Sequence, residues 1–213
     1  MAGELRLNQV AVPTTPASGK DSFYVSTDTP ERPKRVDSSG TVWPIQEFFL
    51  MSQTAAYTPT FTATTANQVF NTTTNGTINL PASTSYQFDF TYFITNTGTT
   101  SHTWATQFGG TASLTSLAYR VQSISTIGNV LGAVSQIYAT GNGVTVVTAA
   151  STSATENLVI SGSGILRINT AGTFTPQLQT SATPGGTQTI LTNSFFRLSP
   201  FASNTVGFMG NWT

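Results

Sequence analysis

The chain contains no cysteine. That absence excludes disulfide frameworks, thiolate zinc sites and cysteine nucleophiles together, and leaves the redox compartment open. There is one histidine, His102, so a metal centre built from a histidine cluster is not expected either. No run of about 18 consecutive apolar residues occurs, which argues against a membrane-spanning helix. The opening residues, MAGELRLNQV, are mixed in charge and lack the apolar stretch of a secretory leader. The expectation is a soluble protein made in the cytoplasm, with no membrane insertion.

Charge is scarce as well. The 213 residues include eight Lys or Arg and eight Asp or Glu, for a formal net charge of zero. Eleven of these sixteen lie before Phe48, and from there on only Asp89, Arg120, Glu156, Arg167 and Arg197 remain. A neutral surface rich in Thr, Ser, Asn and Gln releases few counterions from a phosphate backbone, so no nucleic-acid partner is expected. Disorder fits no better, because 14 Phe, 6 Tyr and 3 Trp are spread along the chain and a disordered segment carries few aromatics. A folded body with so few charges to keep single copies apart implies that much of its surface meets other subunits.

Three zones follow from composition. Residues 1–43 read as an extended arm. FYV at 23–25 and TVW at 41–43 are short strands of a small hairpin, and the intervening Pro30 and Pro33 mark a turn. Residues 44–56 read as a connector. Pro44 suits a first helical turn, and Ile45, Phe48, Phe49 and Ser52 fall at helical spacing, so a short helix is predicted.

Residues 57–213 read as β throughout. YQFDFTY alternates strictly, with Tyr86, Phe88, Phe90 and Tyr92 on one face and Gln87, Asp89 and Thr91 on the other. In ILRIN, Leu166 and Ile168 point inward and Arg167 outward. TFTPQLQ places Phe174 and Leu178 together, and SFFRLSP sets Phe196 and Leu198 opposite Phe195 and Arg197. Turn signals separate the runs: NG at 75–76, NTG at 96–98, GG at 109–110, GNG at 141–143, SGSG at 161–164, AG at 171–172 and PGG at 184–186. Short strands at this spacing predict an all-β protein, an antiparallel sandwich of jelly-roll type.

Groups able to do chemistry are few. A serine-histidine-aspartate triad would have to combine His102 with Asp89, the body's sole aspartate. The plainer reading is a loop histidine beside Trp104. A glycosidase pair would need Asp89 with Glu156, and each of these reads more simply as an isolated solvated charge. SGSG and PGGT lack the lysine and the strand-to-helix setting of a phosphate cradle. No catalytic, cofactor-binding or metal-binding residue is therefore assigned, and the chain is read as non-enzymatic. Tyr57, Trp104, Tyr119, Tyr138 and Trp212 are the aromatics that could stack on sugars or anchor an interface.

Two stretches resemble a known class. TPASGKDSFYV with Pro16, Gly19, Lys20 and Tyr24, followed by VDSSGTVWPI with Asp37 and Gly40, resembles the Pro-x-x-Gly-Lys…Tyr…Asp-x-x-Gly segment near the start of tailed-bacteriophage tail fibres and related virion appendages. Gly164 to Pro200 resembles the closing strands of the jelly-roll or TNF-like domains found as trimers on phage particles. The pattern from Gly164 through Arg167, Asn169 and Gly172 to Phe174, the PGG turn and FFRL carry it. Together the two stretches cover about a third of the chain.

The resemblance implies a virion protein assembled in the bacterial cytoplasm. It would be a homotrimer whose arm docks on tail, baseplate or capsid proteins and whose sandwich faces a host surface glycan or protein. A capsid-decoration or head-fibre protein is the alternative implied, and a polysaccharide-depolymerising spike the third.

Overall fold

The structure is a computed structural model, and it describes residues 9–26, 33–36, 38, 40, 42–44, 48–63, 65–70, 76–127 and 130–203. The described residues are all β, with no helix among them, and the chain divides into two units, 1–47 and 48–213.

The first unit is a four-stranded sheet in the order β1 (Gln9–Val10), β2 (Ser22–Ser26), β3 (Pro33–Val36), β4 (Val42–Pro44). It differs from the expected hairpin. FYV and the strand at 42–44 both form, but β3 lies between them and pairs with each. Pro33 opens β3 rather than marking a turn, a place where a missing N–H costs no ladder bond; Pro30 lies outside the described residues. Tyr24 and Val36 share one face and are buried, while Phe23 and the Asp21–Arg35 ion pair are more exposed.

The second unit is built from β5 (Phe49–Ser52), β6 (Asn67–Gln68), β7 (Ile78–Leu80), β8 (Thr84–Asn96), β9 (His102–Gly109), β10 (Ser113–Ile127), β11 (Val130–Ala139), β12 (Gly143–Ser151), β13 (Glu156–Thr170), β14 (Gly172–Thr180), β15 (Gln188–Ile190) and β16 (Phe195–Ser203). One sheet runs β11-β10-β13-β8-β16-β5, with β15 also on β8; the other runs β12-β9-β14-β6, with β7 on β14. Every pairing in both sheets is antiparallel. The chain alternates between them, so the sheets face each other as a β-sandwich around one core.

The period-two pattern sets that core. Tyr86, Phe88, Phe90, Tyr92 and Ile94 of β8 point inward, as do Leu166 and Ile168 of β13 and Phe196 and Leu198 of β16. Trp104, Phe108, Phe174 and Leu178 meet them from the opposite sheet. Phe108 is the hub, packing edge-on to Phe88 at 5.5 Å and Tyr119 at 5.2 Å and stacking on Phe174 at 5.2 Å. Such aromatic pairs add about 0.5–1.5 kcal/mol each beyond simple burial.

Two expectations are corrected here. The helix predicted over 44–56 is not found. Phe49–Ser52 is strand β5, paired with β16, with Phe49 and Met51 packed on the core and Phe48 and Leu50 exposed. Residues 45–47 lie outside the described residues. SGSG is not a turn either. Ser161–Gly164 lies mid-strand in β13, paired on one side with β10 and on the other with β8. Gly162 and Gly164 are needed there because a Cβ at either position would overlap Phe90 or Tyr119. The glycines make room for rings rather than for a bend. The PGG turn does form, with Gly185 and Gly186 at φ +68° and +57°, values that favour glycine.

Candidate functional site

The most concentrated polar chemistry in the sandwich sits where four strands begin or end. Asn96 closes β8, His102 opens β9, Glu156 opens β13 and Gln188 opens β15. The register brings them together: Glu156 and Gln188 both stand opposite Asn96, and the NTG turn returns the chain from Asn96 to His102 on the facing sheet. Phase turns them inward. His102 shares its face of β9 with Trp104 and Phe108, and Glu156 shares its face of β13 with Leu158 and Ile160. The side chains of His102 and Glu156 are both 0% exposed.

One carboxylate oxygen gathers the cluster. Glu156 Oε2 accepts from Asn96 Nδ2 at 2.9 Å, from His102 Nε2 at 3.1 Å and from Trp104 Nε1 at 3.4 Å. Asn96 Nδ2 and His102 Nε2 are themselves 3.1 Å apart because both aim at that atom. His102 Nδ1 donates to the Thr100 carbonyl at 2.7 Å. Asn96 Oδ1 accepts from the Gly98 amide at 2.8 Å and from Gln188 Nε2 at 2.9 Å, and Gln188 Nε2 also reaches the Gly185 carbonyl. Glu156 Oε1 is buried with no hydrogen-bond partner.

These partners assign the protons. Nδ1 faces the Thr100 carbonyl and Nε2 faces the Glu156 carboxylate, an arrangement that favours the doubly protonated ring and places its charge beside a carboxylate. Burial by itself drives the His102 pKa down. The Glu156 hydrogen bond, the Thr100 carbonyl and the Glu156 charge outweigh it, and the pKa is raised from 6.5. Burial likewise pushes the Glu156 carboxyl up, but the hydrogen bonds from His102 and Asn96, the His102 charge and Trp104 overcome it, and its pKa is lowered from 4.5. With His102 protonated, the result is a buried ion pair that clasps one sheet to the other.

This arrangement corrects the sequence reading of both residues. His102 does lie beside Trp104, with ring centroids 5.6 Å apart, but it is a strand residue sealed from solvent. Glu156 is neither solvated nor isolated. Asp89 joins neither of them: it lies on the outer face of β8 and accepts from Arg197 Nε at 2.8 Å. It stands seven residues from Asn96, roughly 24 Å along the strand. Neither the triad with Asp89 nor the Asp89–Glu156 pair is assembled. The strand phase of SHTW and ENLVI was the signal for the buried clasp, since it puts His102 and Glu156 on inward positions.

The candidate aromatics separate as well. Trp104 and Tyr119 are core residues, Tyr57 is half-buried and bridges to Ile190, and Tyr138 is 70% exposed; Trp212 lies outside the described residues. On the outer face of the smaller sheet, Thr103, Gln107, Gln179 and Ser181 line a shallow polar depression, with Gln107 donating to Gln179 across it. Among the described residues no group of three or more His, Cys, Asp or Glu side chains is placed to hold a metal.

No protein-family model matches this chain, and no curated protein resembles it at a significant level.

Proposed function

We propose that this chain is a non-enzymatic structural protein of a bacteriophage virion: a trimeric appendage of the tail-fibre or receptor-binding type, with a jelly-roll or TNF-like sandwich. The observation that carries the reading is the contrast between a sealed interior and a nearly uncharged exterior. The sandwich holds its one histidine and its one glutamate in a clasp with no solvent access, where they bind sheets together rather than a substrate. Its outer surface leaves Ile124, Val134, Tyr138, Ile165 and Leu50 exposed, against five charges in the whole stretch from Phe48 onward.

A monomer with that surface is poorly protected against association, whereas a permanent oligomer buries it. The chain's repeated crossing between two antiparallel sheets supports the jelly-roll assignment. The charge-bearing first unit, with its Asp21–Arg35 pair and exposed Phe23, suits docking on another virion protein. The neutral sandwich suits projection toward a host surface, where several copies act together.

Antibodies raised against the sandwich and applied to purified particles test this. Gold label on projecting structures is the expected result. Particles that lack the protein by mass spectrometry would refute the reading.

A further inference from the structure

The two outer faces of the sandwich differ in chemistry. Asp89, Arg120, Arg167 and Arg197, the charged residues of the second unit other than buried Glu156, all lie on strands of the larger sheet. So do exposed Leu50, Ile124, Val134, Tyr138 and Ile165. Among the described residues, the outer face of the smaller sheet exposes neither a charge nor a large hydrophobic side chain. Its register lays out amides and hydroxyls instead. Gly143, Gln107 and Gln177 form one row across β12, β9 and β14, Thr145, Ala105 and Gln179 form the next, and Thr103 and Ser181 pair beyond them. Ala105 is the short side chain in the middle, and the surface dips there into a depression of about 240 Å³ lined by Thr103, Gln107, Thr145, Gln179 and Ser181.

The polar groups of this depression are held in place. The Gln107 amide takes the space that a Cβ on Gly143 would fill, and from there it donates to Gln179. Ser181 Oγ accepts from the Thr103 amide at 2.9 Å. Two glutamine amides carry four N–H groups and their mutual bond uses one, so three donors and both carbonyl oxygens keep capacity. The Thr103, Thr145 and Ser181 hydroxyls stand beside them.

We propose that this depression binds one ring of an uncharged saccharide on the host surface. The inference rests on the host-facing reading above and gives it a site. A sugar hydroxyl donates and accepts at once, which matches a lining of amides and hydroxyls that does the same with no charge. Nucleic acids and acidic glycans call for cations, and a protein interface is anchored by aromatic or arginine side chains at its centre; this face supplies neither. The volume equals roughly eight waters at about 30 Å³ each and lies below the roughly 300 Å³ at which drug-sized pockets begin, so it suits a single ring. Without an aromatic ring to stack on, one site should bind at about 1 mM, and several copies on one particle supply the rest.

Saturation-transfer NMR on the full chain, with glucose, galactose, mannose, N-acetylglucosamine and glucuronate each at about 10 mM, tests the site. Transfer to at least one neutral sugar and none to glucuronate is expected. Ala105→Ile raises the floor of the depression with a residue suited to a strand, and Gln179→Ala removes half of the amide pair. Each is expected to weaken the signal about fivefold with circular dichroism retained, whereas Gln122→Ala, on the outer face of the larger sheet, leaves it unchanged. No transfer to any neutral sugar, equal transfer to glucuronate, or transfer that both depression variants leave intact overturns the site. So does a folded Ala105→Ile protein whose mass in solution differs from the wild type, since another copy then covers this face. Gold-labelled projections on particles without sugar transfer would leave the virion reading standing and remove only this site; transfer with particles that lack the protein would do the reverse.

Discussion

Breaking the buried His102–Glu156 clasp should change both the amount of stability and its dependence on pH. Glu156→Ala leaves a protonated or newly neutral imidazole and the Asn96 and Trp104 donors without their shared acceptor. Removing one partner of a buried pair costs about 3–5 kcal/mol. For a protein of this size each kcal/mol moves Tm by about 2–4 °C, so a drop of about 6–20 °C is expected.

Glu156→Gln is the sharper variant. The amide oxygen in the Oε2 position still accepts from Asn96 and Trp104, a neutral His102 still donates from Nδ1 to Thr100, and its Nε2 can accept from Asn96 Nδ2, 3.1 Å away, so the cost falls to roughly 1–2 kcal/mol.

The pH effects then diverge. In the wild type the raised His102 pKa gives stability that is complete below pH 6.5 and is lost as pH rises through the folded value. The lowered Glu156 pKa gives stability complete above pH 4.5 and lost as pH falls through the folded value. The wild type should therefore be most stable between pH 4.5 and 6.5 and weaken toward pH 9. In Glu156→Gln the carboxylate's hydrogen bond and charge are gone and only the Thr100 carbonyl still opposes burial, so the His102 pKa should fall and the loss of stability with rising pH should shrink or reverse.

With one histidine and no cysteine in the chain, the α-amino group is the only other one expected to titrate between pH 6 and 9. Urea denaturation from pH 5 to 9 at fixed protein concentration reads this directly. A flat wild-type profile, or the same slope in wild type and Glu156→Gln, would refute the ion pair.

Other expected outcomes concern packing and surface charge. Gly164→Ala places a methyl group against Tyr119 and the Ala118 carbonyl and should cost about 1–3 kcal/mol by denaturation. Gly141→Ala, where nothing lies within 4 Å, should be close to neutral. Phe88→Ala removes a ring that packs on Phe90, Phe108, Tyr119 and Phe196, and a loss of about 3–5 kcal/mol is expected. Asp89→Asn breaks a solvent-screened pair with Arg197, whose side chains are 33% and 54% exposed. It should change the stability of the dissociated chain by less than about 1 kcal/mol, a result that a strained catalytic carboxylate would not give.

Where one face of a strand is wet and the other dry, the sequence was legible. Alternation in YQFDFTY, ILRIN and SFFRLSP reported side-chain direction directly, and the structure buries the residues it assigned inward. Helical spacing in PIQEFFLMS misled because a window that short satisfies either period. Its strand character comes from β16, which lies far along the chain and supplies the ladder. SGSG misled because glycine serves two purposes, bending a backbone or yielding space to a ring, and only the positions of Phe90 and Tyr119 decide which. The clasp was missed, with His102 read as a loop residue and Glu156 as a solvated charge: the phase of SHTW and ENLVI does put both on inward positions, but their meeting depends on the register of β8, β9 and β13 and the turn that joins two of them.

The central claim is that this charge-poor sandwich works in copies. The mass of the wild-type protein in solution at micromolar concentration, by light scattering or sedimentation, tests it most directly. The account predicts three chains of 22.5 kDa moving as one particle that resists dilution; a single chain at that concentration would contradict it.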